Sequence, residues 1–426
     1  MGSQAGSIIL KHANIIDEGR CMGQADIVIK KDRIAAVMPD AGPGEVGDDL
    51  LDCSGLTIMS GLCDAHAHLS WIDSADFNSI DSLPVEEHML RTADNARTYL
   101  DAGYTMCVGA AAAKLRLDVA IRNAIDAGQV PGPRYLANGP EISSTGSYID
   151  QLPESRPVAE FGLIADGPDQ VRKQVRRLLK QRVDLIKLGL SGEEIVGRPA
   201  SGQTIMDDDE VEMAVTEAGR MGVRVCAHAR SAGAVRLCLD HNVPIIYHAS
   251  FVDEKSMDEL VRRRDEFFVV PSLAFIYRLV EGDGEPFGMP KAVAQHLYQA
   301  EVDAAVAAMR RLKREGVRIL PGGDYGFAWC PHGTYARDLE YFVDLLDFTP
   351  GEALAAATVL GGEIMGRPND LGRVAPGYLA DLILIDSDPI SDIKILQERE
   401  RIVGVMKGGQ FFRRPSSQRG EVQGKQ

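Results

Sequence analysis

Hydrophobic positions along the chain follow three successive patterns. Residues 1–60 contain short apolar runs bounded by Gly, Pro or Asp, such as SIILKHANIID and ADIVIKKDRIAAVM, and this pattern predicts strands without helices. Between residues 61 and 366, apolar runs alternate with segments of helical periodicity, as in DLIKLGL, DDDEVEMAVTEAGRMG and then VRVCAHA. A capping-box pattern at Thr349 and Glu352 predicts the start of the last helix. Strands return in residues 367–412.

These patterns predict an α/β protein with two domains and a tail. Repeated strand–helix units imply a parallel sheet, and residues 61–366 have the length of a catalytic (β/α)8 TIM barrel, about 250 residues or more. Residues 1–60 and 367–412 are expected to form one small β-sandwich from both chain ends. Residues 413–426 are polar and without periodicity, so we expect a disordered or loosely docked tail.

Composition narrows the classes of function. The 426 residues carry a net charge of −16, with basic residues scattered among acids, so we expect no nucleic-acid partner. No apolar run approaches the ~18 residues that span a bilayer, and the first residues lack a basic segment. We therefore expect no membrane association and a cytoplasmic protein. The seven cysteines are odd in number and lack a CxxC pair, which indicates reduced thiols.

Two histidines, His66 and His68, end the apolar run LTIMSGLCDAHAH. Alternate side chains on a strand point to the same side, so both imidazoles aim at one point. Asp64 precedes them by two residues and could orient a ring. The pattern is compatible with a metal site, but it also fits two buried core histidines.

Four further polar residues lie at or near the ends of apolar runs: Lys187, His228, His248 and Asp324. Each has an ordinary explanation, such as a paired lysine, a core histidine or an aspartate in a glycine-rich turn. In a barrel, however, the carboxyl ends of the strands all lie on one face. Together with the histidine pair, these residues predict a site for two divalent ions.

On these motifs the chain resembles the amidohydrolase superfamily in its binuclear metal form, and more closely its prolidase-like and imidazolonepropionase-like branch. The resemblance covers nearly the whole chain. It rests on the runs DAHAH at 64–68, IKLGLSG at 186–192, CAHA at 226–229, GVRILPGGD at 316–324 and DLGRVAPGYLADLILID at 370–386.

The resemblance implies the following ligand set: His66, His68 and Asp324 on the first metal, His228 and His248 on the second, and Lys187 as a bridge. The bridge would be an Nζ-carbamate formed with carbon dioxide, because an ammonium would repel the ions. Zinc is the expected metal. Asp324 would act as the general base that takes a proton from a shared water and returns it to the leaving amine.

Substrate contacts are less clearly indicated. Arg230, two residues beyond His228, could bind a substrate carboxylate or pair with an acidic neighbour. Tyr277, His332 and Tyr148 are further candidates for substrate contacts. Several aromatic residues in or near predicted loops indicate either an aromatic pocket or packing over the barrel mouth: Trp71, Phe77, Phe275, Phe287, Phe327 and Trp329.

The predicted function is hydrolysis of an amide bond in a small molecule, such as an N-acyl amino acid, a dipeptide or a carboxylate-bearing aryl amide. A urea, carbamate or cyclic amide would suit the same site, since hydroxide attack on a carbonyl does not distinguish them. A third hypothesis is a non-catalytic amidohydrolase-like scaffold, which predicts missing metal ligands. We also expect a homo-oligomer.

Overall fold

The chain forms two compact units in the structure, a computed structural model that describes residues 6–155 and 159–416. The first unit comprises the described residues up to Cys63, Leu100–Met106 and those from Thr349 onward. The second unit comprises the described residues of Asp64–Tyr99 and Cys107–Phe348. Most of the predicted tail, residues 417–426, lies outside the described residues.

Strands and helices alternate through much of the chain. The strands are β1 Ile8–Asp17, β2 Arg20–Lys30, β3 Arg33–Met38, β4 Asp49–Asp52, β5 Thr57–Ser60, β6 Leu62–Ala67, β7 Tyr104–Gly109, β8 Arg134–Leu136, β9 Glu141–Ser143, β10 Gly162–Ile164, β11 Leu185–Gly189, β12 Arg224–Ala229, β13 Ile245–His248, β14 Phe268–Val270, β15 Arg318–Ile319, β16 Leu382–Ile385, β17 Ile402–Lys407 and β18 Gln410–Arg413. The α-helices are α1 Val85–Asp101, α2 Leu117–Asp126, α3 Pro168–Gln181, α4 Asp208–Gly219, α5 Ala232–Asp240, α6 Glu254–Arg262, α7 Leu273–Glu281, α8 Lys291–Arg314, α9 Arg337–Leu346 and α10 Pro350–Ile364. Within 6–155 and 159–416, no helix is long and apolar enough to cross a membrane.

An eight-stranded sheet of the first unit takes strands from both ends of the chain. The strand order is β18-β17-β16-β5-β1-β2-β3, and β4 pairs with β1. The junction between the two ends is the antiparallel pair β5–β16, in which Met59 lies opposite Ile383. Residues from both ends share one buried core: Leu10, Ala13, Ile15, Ile27, Ile29, Ile34, Leu51, Cys53, Ile58, Val374, Ala380, Leu382, Leu384 and Met406.

The second unit contains a parallel sheet with the strand order β10-β9-β11-β12-β13-β14-β15. A further sheet has the order β6-β7-β8. Every residue of β11 and β13 is buried, as expected for parallel strands whose two faces are both covered. The predicted α/β class with parallel strands is confirmed.

The predicted last helix begins where its capping box places it. The Thr349 hydroxyl accepts from the Glu352 backbone N–H at 3.2 Å, and the Glu352 carboxylate accepts from the Thr349 N–H at 2.8 Å. Both groups satisfy backbone donors that the first helical turn leaves without partners. Pro350, which needs no N–H partner, is the first helical residue of α10.

Candidate metal centre

Polar side chains at strand ends of the second unit meet in one place. His66 lies in β6, Lys187 in β11, His228 in β12 and His248 at the end of β13, while Asp324 follows β15. Because β11, β12 and β13 are consecutive neighbours in the parallel sheet, their carboxyl ends point to the same edge. All of these side chains are buried.

Three of these residues could hold one metal ion. One ligand atom from each of His66, His248 and Asp324 lies within 4.8 Å of the other two. His68 adjoins this group, because its Nε2 lies 2.9 Å from Asp324 Oδ1. The ring centroids of His228 and His248 are 4.6 Å apart. The structure therefore brings the four predicted histidines and the aspartate together.

Hydrogen bonds leave one nitrogen of His66 and one of His68 facing Asp324. His68 Nδ1 lies 3.0 Å from the Ala111 carbonyl, so it donates, and a neutral ring then carries its lone pair on Nε2. Ser272 Oγ lies 2.6 Å from His66 Nδ1 and donates its own proton to a backbone carbonyl. His66 Nδ1 is therefore the donor to Ser272, and the lone pair of His66 is on Nε2. Lone pairs that face a carboxylate oxygen repel it unless a proton or cation lies between them.

The other two histidines also keep ring nitrogens available. His228 Nε2 donates to the Gly192 carbonyl at 3.0 Å, which leaves its Nδ1 as the lone-pair nitrogen. His248 is fully buried, yet neither of its ring nitrogens has a hydrogen-bond partner among the residues that the structure describes. Asp324 Oδ1 is likewise buried and without a hydrogen bond within the described ranges. Such atoms are rare because their desolvation is costly, and divalent ions at this point would satisfy them. The residues fit a metal centre.

Burial keeps the imidazoles in the neutral form that binds metals. Burial lowers the pKa of His66, His228 and His248 well below the usual value, and nearby cations add to the effect. Among the nearby cations, Lys187 contributes most to the lowered pKa of His66. Arg230 contributes most to the lowered pKa of His228 and His248. These three imidazoles are therefore neutral, with one protonated nitrogen each, at neutral pH.

Three residues of the centre have backbone angles that favour glycine. The φ angles of His248, Ser272 and Asp324 are 71°, 54° and 62°. Non-glycine residues adopt such angles at a cost, and in known proteins these outliers cluster at functional sites. The strain is compatible with strand ends that are shaped to aim side chains at a ligand.

Lys187 is enclosed by the wall of the pocket. Its side chain is 2% exposed, and its Nζ lies 4.0 Å from Glu141 Oε1 and 4.1 Å from the centroid of the Tyr247 ring. Burial raises the pKa of Glu141, against the opposing effect of Lys187. Lys187 therefore faces the same space as the histidines and has one carboxylate near it.

Aromatic side chains form much of the remaining wall of the pocket. Its described lining residues are His66, His68, Trp71, Phe77, Glu141, Tyr148, Lys187, Glu193, His228, Phe275, Asp324 and Phe327. Trp71 stacks on His68, with ring centroids 3.6 Å apart. Four of the six aromatic residues singled out from the sequence thus reach the pocket. Trp329 stacks behind Phe327, and Phe287 is exposed.

Of the predicted substrate contacts, Tyr148 lies at the pocket and Tyr277 does not. The centroid of the Tyr148 ring lies 4.6 Å from that of His228. Tyr277 belongs to α7 and packs against Tyr341, with centroids 5.0 Å apart. The helix directs this ring away from the pocket lining found among the described residues.

His332 and Arg230 make internal contacts instead of lining the pocket. His332 Nε2 lies 3.0 Å from the Trp71 carbonyl, and its Nδ1 lies near the Tyr335 hydroxyl at 3.1 Å, so both ring nitrogens are engaged. Arg230 is fully buried and forms ion pairs with Glu193 and Glu301. Of the two roles expected for Arg230, the structure therefore shows pairing with acidic neighbours. Two carboxylates thus neutralise the guanidinium.

Sequence reasoning missed two carboxylates of the pocket, Glu141 and Glu193. Glu141 opens the three-residue strand β9, and Glu193 lies in a loop, so neither ends a recognisable apolar run. The available signal for Glu193 was its position directly after the IKLGLSG motif.

Buried histidines, a lysine and an aspartate at the ends of parallel strands define a class, the metal-dependent hydrolases on an α/β scaffold. The sequence pattern of the amidohydrolase family matches residues 57–412. The chain belongs to this family, whose members generally bind divalent metals. The prediction of a hydrolase that acts on carbon–nitrogen bonds, and on the amide bond of a small molecule, is confirmed.

Individual relatives agree with this assignment. An ochratoxinase from Aspergillus niger is 27% identical over 377 residues, which are 84% of this chain and 76% of the relative. An imidazolonepropionase from Rubrobacter xylanophilus is 24% identical over 454 residues, covering 92% of this chain and 93% of the relative. The predicted resemblance to the prolidase-like and imidazolonepropionase-like branch is confirmed.

Solved structures show the same fold. The crystal structure of A. niger ochratoxinase matches with a TM-score of 0.85 and 25% identity, covering 97% of each chain. The crystal structure of a Xaa-Pro dipeptidase with bound methionine matches with a TM-score of 0.85 and 22% identity, covering 96% of this chain and 100% of that chain.

Proposed function

We propose that the centre holds two divalent metal ions. His66, His68 and Asp324 would hold the first, and His228 and His248 the second. The carrying observation is the set of buried ring nitrogens and the Asp324 oxygen that lack hydrogen bonds among the described residues. Zinc is the proposed metal because it favours imidazole and carboxylate ligands.

Lys187 is the proposed bridge between the two ions, as an Nζ-carbamate. The carbamate forms when the neutral amine nitrogen bonds to the carbon of carbon dioxide and loses a proton. Burial of Lys187 in the pocket lining that also contains His66, His68 and His228 supports this assignment, because an ammonium there would repel two cations. The carbamate would instead offer two anionic oxygens.

Asp324 is the proposed general base and acid. When bound, divalent ions make the attacking water more acidic and polarise the scissile carbonyl. Asp324 accepts the proton of the water as its oxygen bonds to the amide carbon. The protonated carboxyl then gives this proton to the leaving nitrogen as the carbon–nitrogen bond breaks, which yields a carboxylic acid and an amine.

Tyr148 is the proposed hydrogen-bond donor to the substrate. Burial and the nearby Glu141 carboxylate raise the pKa of Tyr148 well above its usual value, so the phenol stays protonated. The ring of Tyr148 lies beside that of His228, which supports a donor role at the metal side of the pocket. A donor there supports the substrate carbonyl as negative charge develops on its oxygen.

The proposed substrate is a small molecule whose amide adjoins an aromatic group. Five aromatic side chains line the pocket, and small-molecule sites are commonly lined in this way: Trp71, Phe77, Tyr148, Phe275 and Phe327. N-acyl amino acids, dipeptides and carboxylate-bearing aryl amides are the amides to compare first.

Further proposals concern the fold, the assembly and the location of the protein. We propose that the parallel strands close into a (β/α)8 barrel over residues 61–366, and that residues 1–60 and 367–412 form a β-sandwich. A cytoplasmic location without nucleic-acid or membrane partners is proposed on composition, and a homo-oligomer is proposed because barrels with an accessory domain often assemble further. The similarity to solved amidohydrolase-like structures supports the barrel.

Hydrolysis assays with an Asp324→Asn variant test this proposal. Wild-type protein loaded with zinc is expected to cleave at least one of the amides named above, as measured by released amine. The variant should lose about a hundredfold or more of kcat, because it cannot carry the proton. Asp169→Asn, an exposed change on α3, is the matched control and should keep full activity. Turnover of ureas, carbamates or cyclic amides with no open-chain amide cleaved would contradict the proposed bond.

A further inference from the structure

A buried cluster of charges borders the pocket on its aromatic side. Arg230 Nη2 lies 2.6 Å from Glu193 Oε2, and its Nη1 lies 2.5 Å from Glu301 Oε1. Arg230, Glu193 and Glu301 are all nearly inaccessible to solvent, with side chains 0%, 4% and 1% exposed. The Arg230 guanidinium also lies 5.6 Å from the centroid of Phe275, one of the aromatic lining residues.

The two carboxylates have different positions in this cluster. Glu301, in α8, accepts from Arg230 and from the Ser250 hydroxyl at 2.7 Å and does not belong to the described pocket lining. Glu193 lines the pocket, and its other oxygen accepts from Tyr298 at 2.9 Å. Of the two, Glu193 is therefore the carboxylate that a ligand can contact.

One guanidinium faces two carboxyl groups, so ionisation of both would leave one negative charge in the cluster without a partner. Burial raises the pKa of Glu193, and the nearby Glu301 carboxylate raises it further against the effect of Arg230. A positive charge or an N–H donor brought in by a ligand would relieve this imbalance in a medium of low dielectric constant. A ligand carboxylate at the same place would make it worse.

The other described lining residues offer no compensating cation on this side. Among the described lining residues the other carboxylates are Glu141 and Asp324, and the one lysine is Lys187 in the metal centre. Aromatic faces such as Phe275 and Phe327 attract cations through their ring quadrupoles. The chemistry of this side thus favours a protonated amine over an acid.

We propose that Glu193 is a specificity-determining residue, which accepts a hydrogen bond from a protonated amine of the substrate and thereby selects aromatic amides that carry an ammonium group over those that carry a carboxylate. The inference rests on the proposed amide hydrolysis at the neighbouring metal centre. It narrows the substrate class to amides with an amine near an aromatic ring, such as aminoacyl amides and dipeptides with a free amino end.

Three matched 4-nitroanilides test the proposal on wild-type, zinc-loaded protein. Each has a 3-phenylpropionyl group that bears an ammonium, a hydrogen or a carboxylate on the carbon next to the carbonyl. The ammonium compound is expected to exceed the neutral one by about tenfold in kcat/KM, since a charge-assisted hydrogen bond contributes that much. The carboxylate compound should be the poorest. A carboxylate compound that matches or exceeds the ammonium compound would overturn the proposal.

Two glutamine variants separate recognition from structure. Glu193→Gln should lower kcat/KM for the ammonium compound about tenfold more than for the neutral compound, which abolishes the preference. Glu301→Gln removes the same charge from the same arginine outside the pocket and should leave the order of the three compounds intact. Equal loss of preference in both variants would contradict a direct contact by Glu193.

Binding measurements keep the outcome independent of catalysis. If zinc-loaded protein cleaves none of the anilides, the proposed function fails, and titration calorimetry with benzylamine and phenylacetate still tests Glu193. Tighter binding of benzylamine, weakened about tenfold in Glu193→Gln, supports the proposed contact. Tighter binding of phenylacetate by wild-type protein would refute it.

Discussion

At the scale of single residues, burial sets the protonation of the groups around the pocket. The histidines lose their positive charge, which prepares them to bind metals, while several carboxyl groups hold protons more tightly than usual. Burial raises the pKa of Asp64 and of Asp118 to about 6 in each case. Such groups couple the stability of the protein to pH.

Replacing Asp118 by Asn is expected to reduce the pH dependence of stability. Asp118 is buried in α2 and accepts a hydrogen bond from Tyr135, which an asparagine oxygen can also accept. Because burial raises its pKa from 3.8 to about 6, the folded protein holds a proton that the unfolded chain releases in this window. The proton held by folded Asp118 contributes its full stabilisation below about pH 4, and this contribution is lost as the pH rises through about 6.

Melting temperatures at about pH 4 and about pH 7 measure this effect. Wild-type protein should lose more on going to the higher pH than Asp118→Asn does. Asp126→Asn, an exposed change in the same helix, is the control and should behave like wild type. Equal losses in wild type and Asp118→Asn would show that Asp118 is not the group that titrates.

Most of the candidate metal ligands could be predicted from the sequence. The four histidines, the lysine and the aspartate were found because each ends or interrupts an apolar run, which is a local signal. Arg230 was found, but its partner could not be, because Glu301 lies 71 positions away in the middle of α8. Charge pairing across that distance leaves no local pattern, and so the surplus of carboxylates became visible only in three dimensions.

At the scale of elements, strand ends and helix caps place the functional groups. Strand–helix alternation predicted the parallel sheet, since such units have few other arrangements. The strand before Asp324 was harder to predict in detail, because β15 has only two residues and the chain then turns through Gly322. A Cβ at Gly322 would lie 2.5 Å from the His66 backbone nitrogen, so glycine is needed for this close approach.

Loss of the capping box should destabilise α10 and with it the first unit. Thr349→Ala removes the hydroxyl that accepts from the Glu352 N–H, and we expect the free energy of unfolding to fall by about 1 kcal/mol. Thr349→Ser keeps the hydroxyl and should stay close to wild type. Urea denaturation measures both, and an alanine variant as stable as the serine variant would contradict the role of the cap.

At the scale of the whole molecule, the candidate ligands come from segments far apart in the chain. His66 and Asp324 are separated by most of the second unit, yet they lie within reach of one ion. Metal bound at this point therefore joins β6 to the segment that follows β15, and ions that bind the folded state alone stabilise it. The fold is shared with solved structures at only 22–25% identity.

The most direct test of the account is the metal content per chain, measured by inductively coupled plasma mass spectrometry on wild type, Lys187→Ala and Lys173→Ala. Lys173 is exposed on α3 and serves as the matched lysine control. We expect about two ions per chain in wild type and in Lys173→Ala. Lys187→Ala is expected to lose both the metal and the ability to hydrolyse amides. Wild-type protein that binds no metal even after reconstitution, or a Lys187→Ala variant that keeps both ions and full activity, would contradict the account.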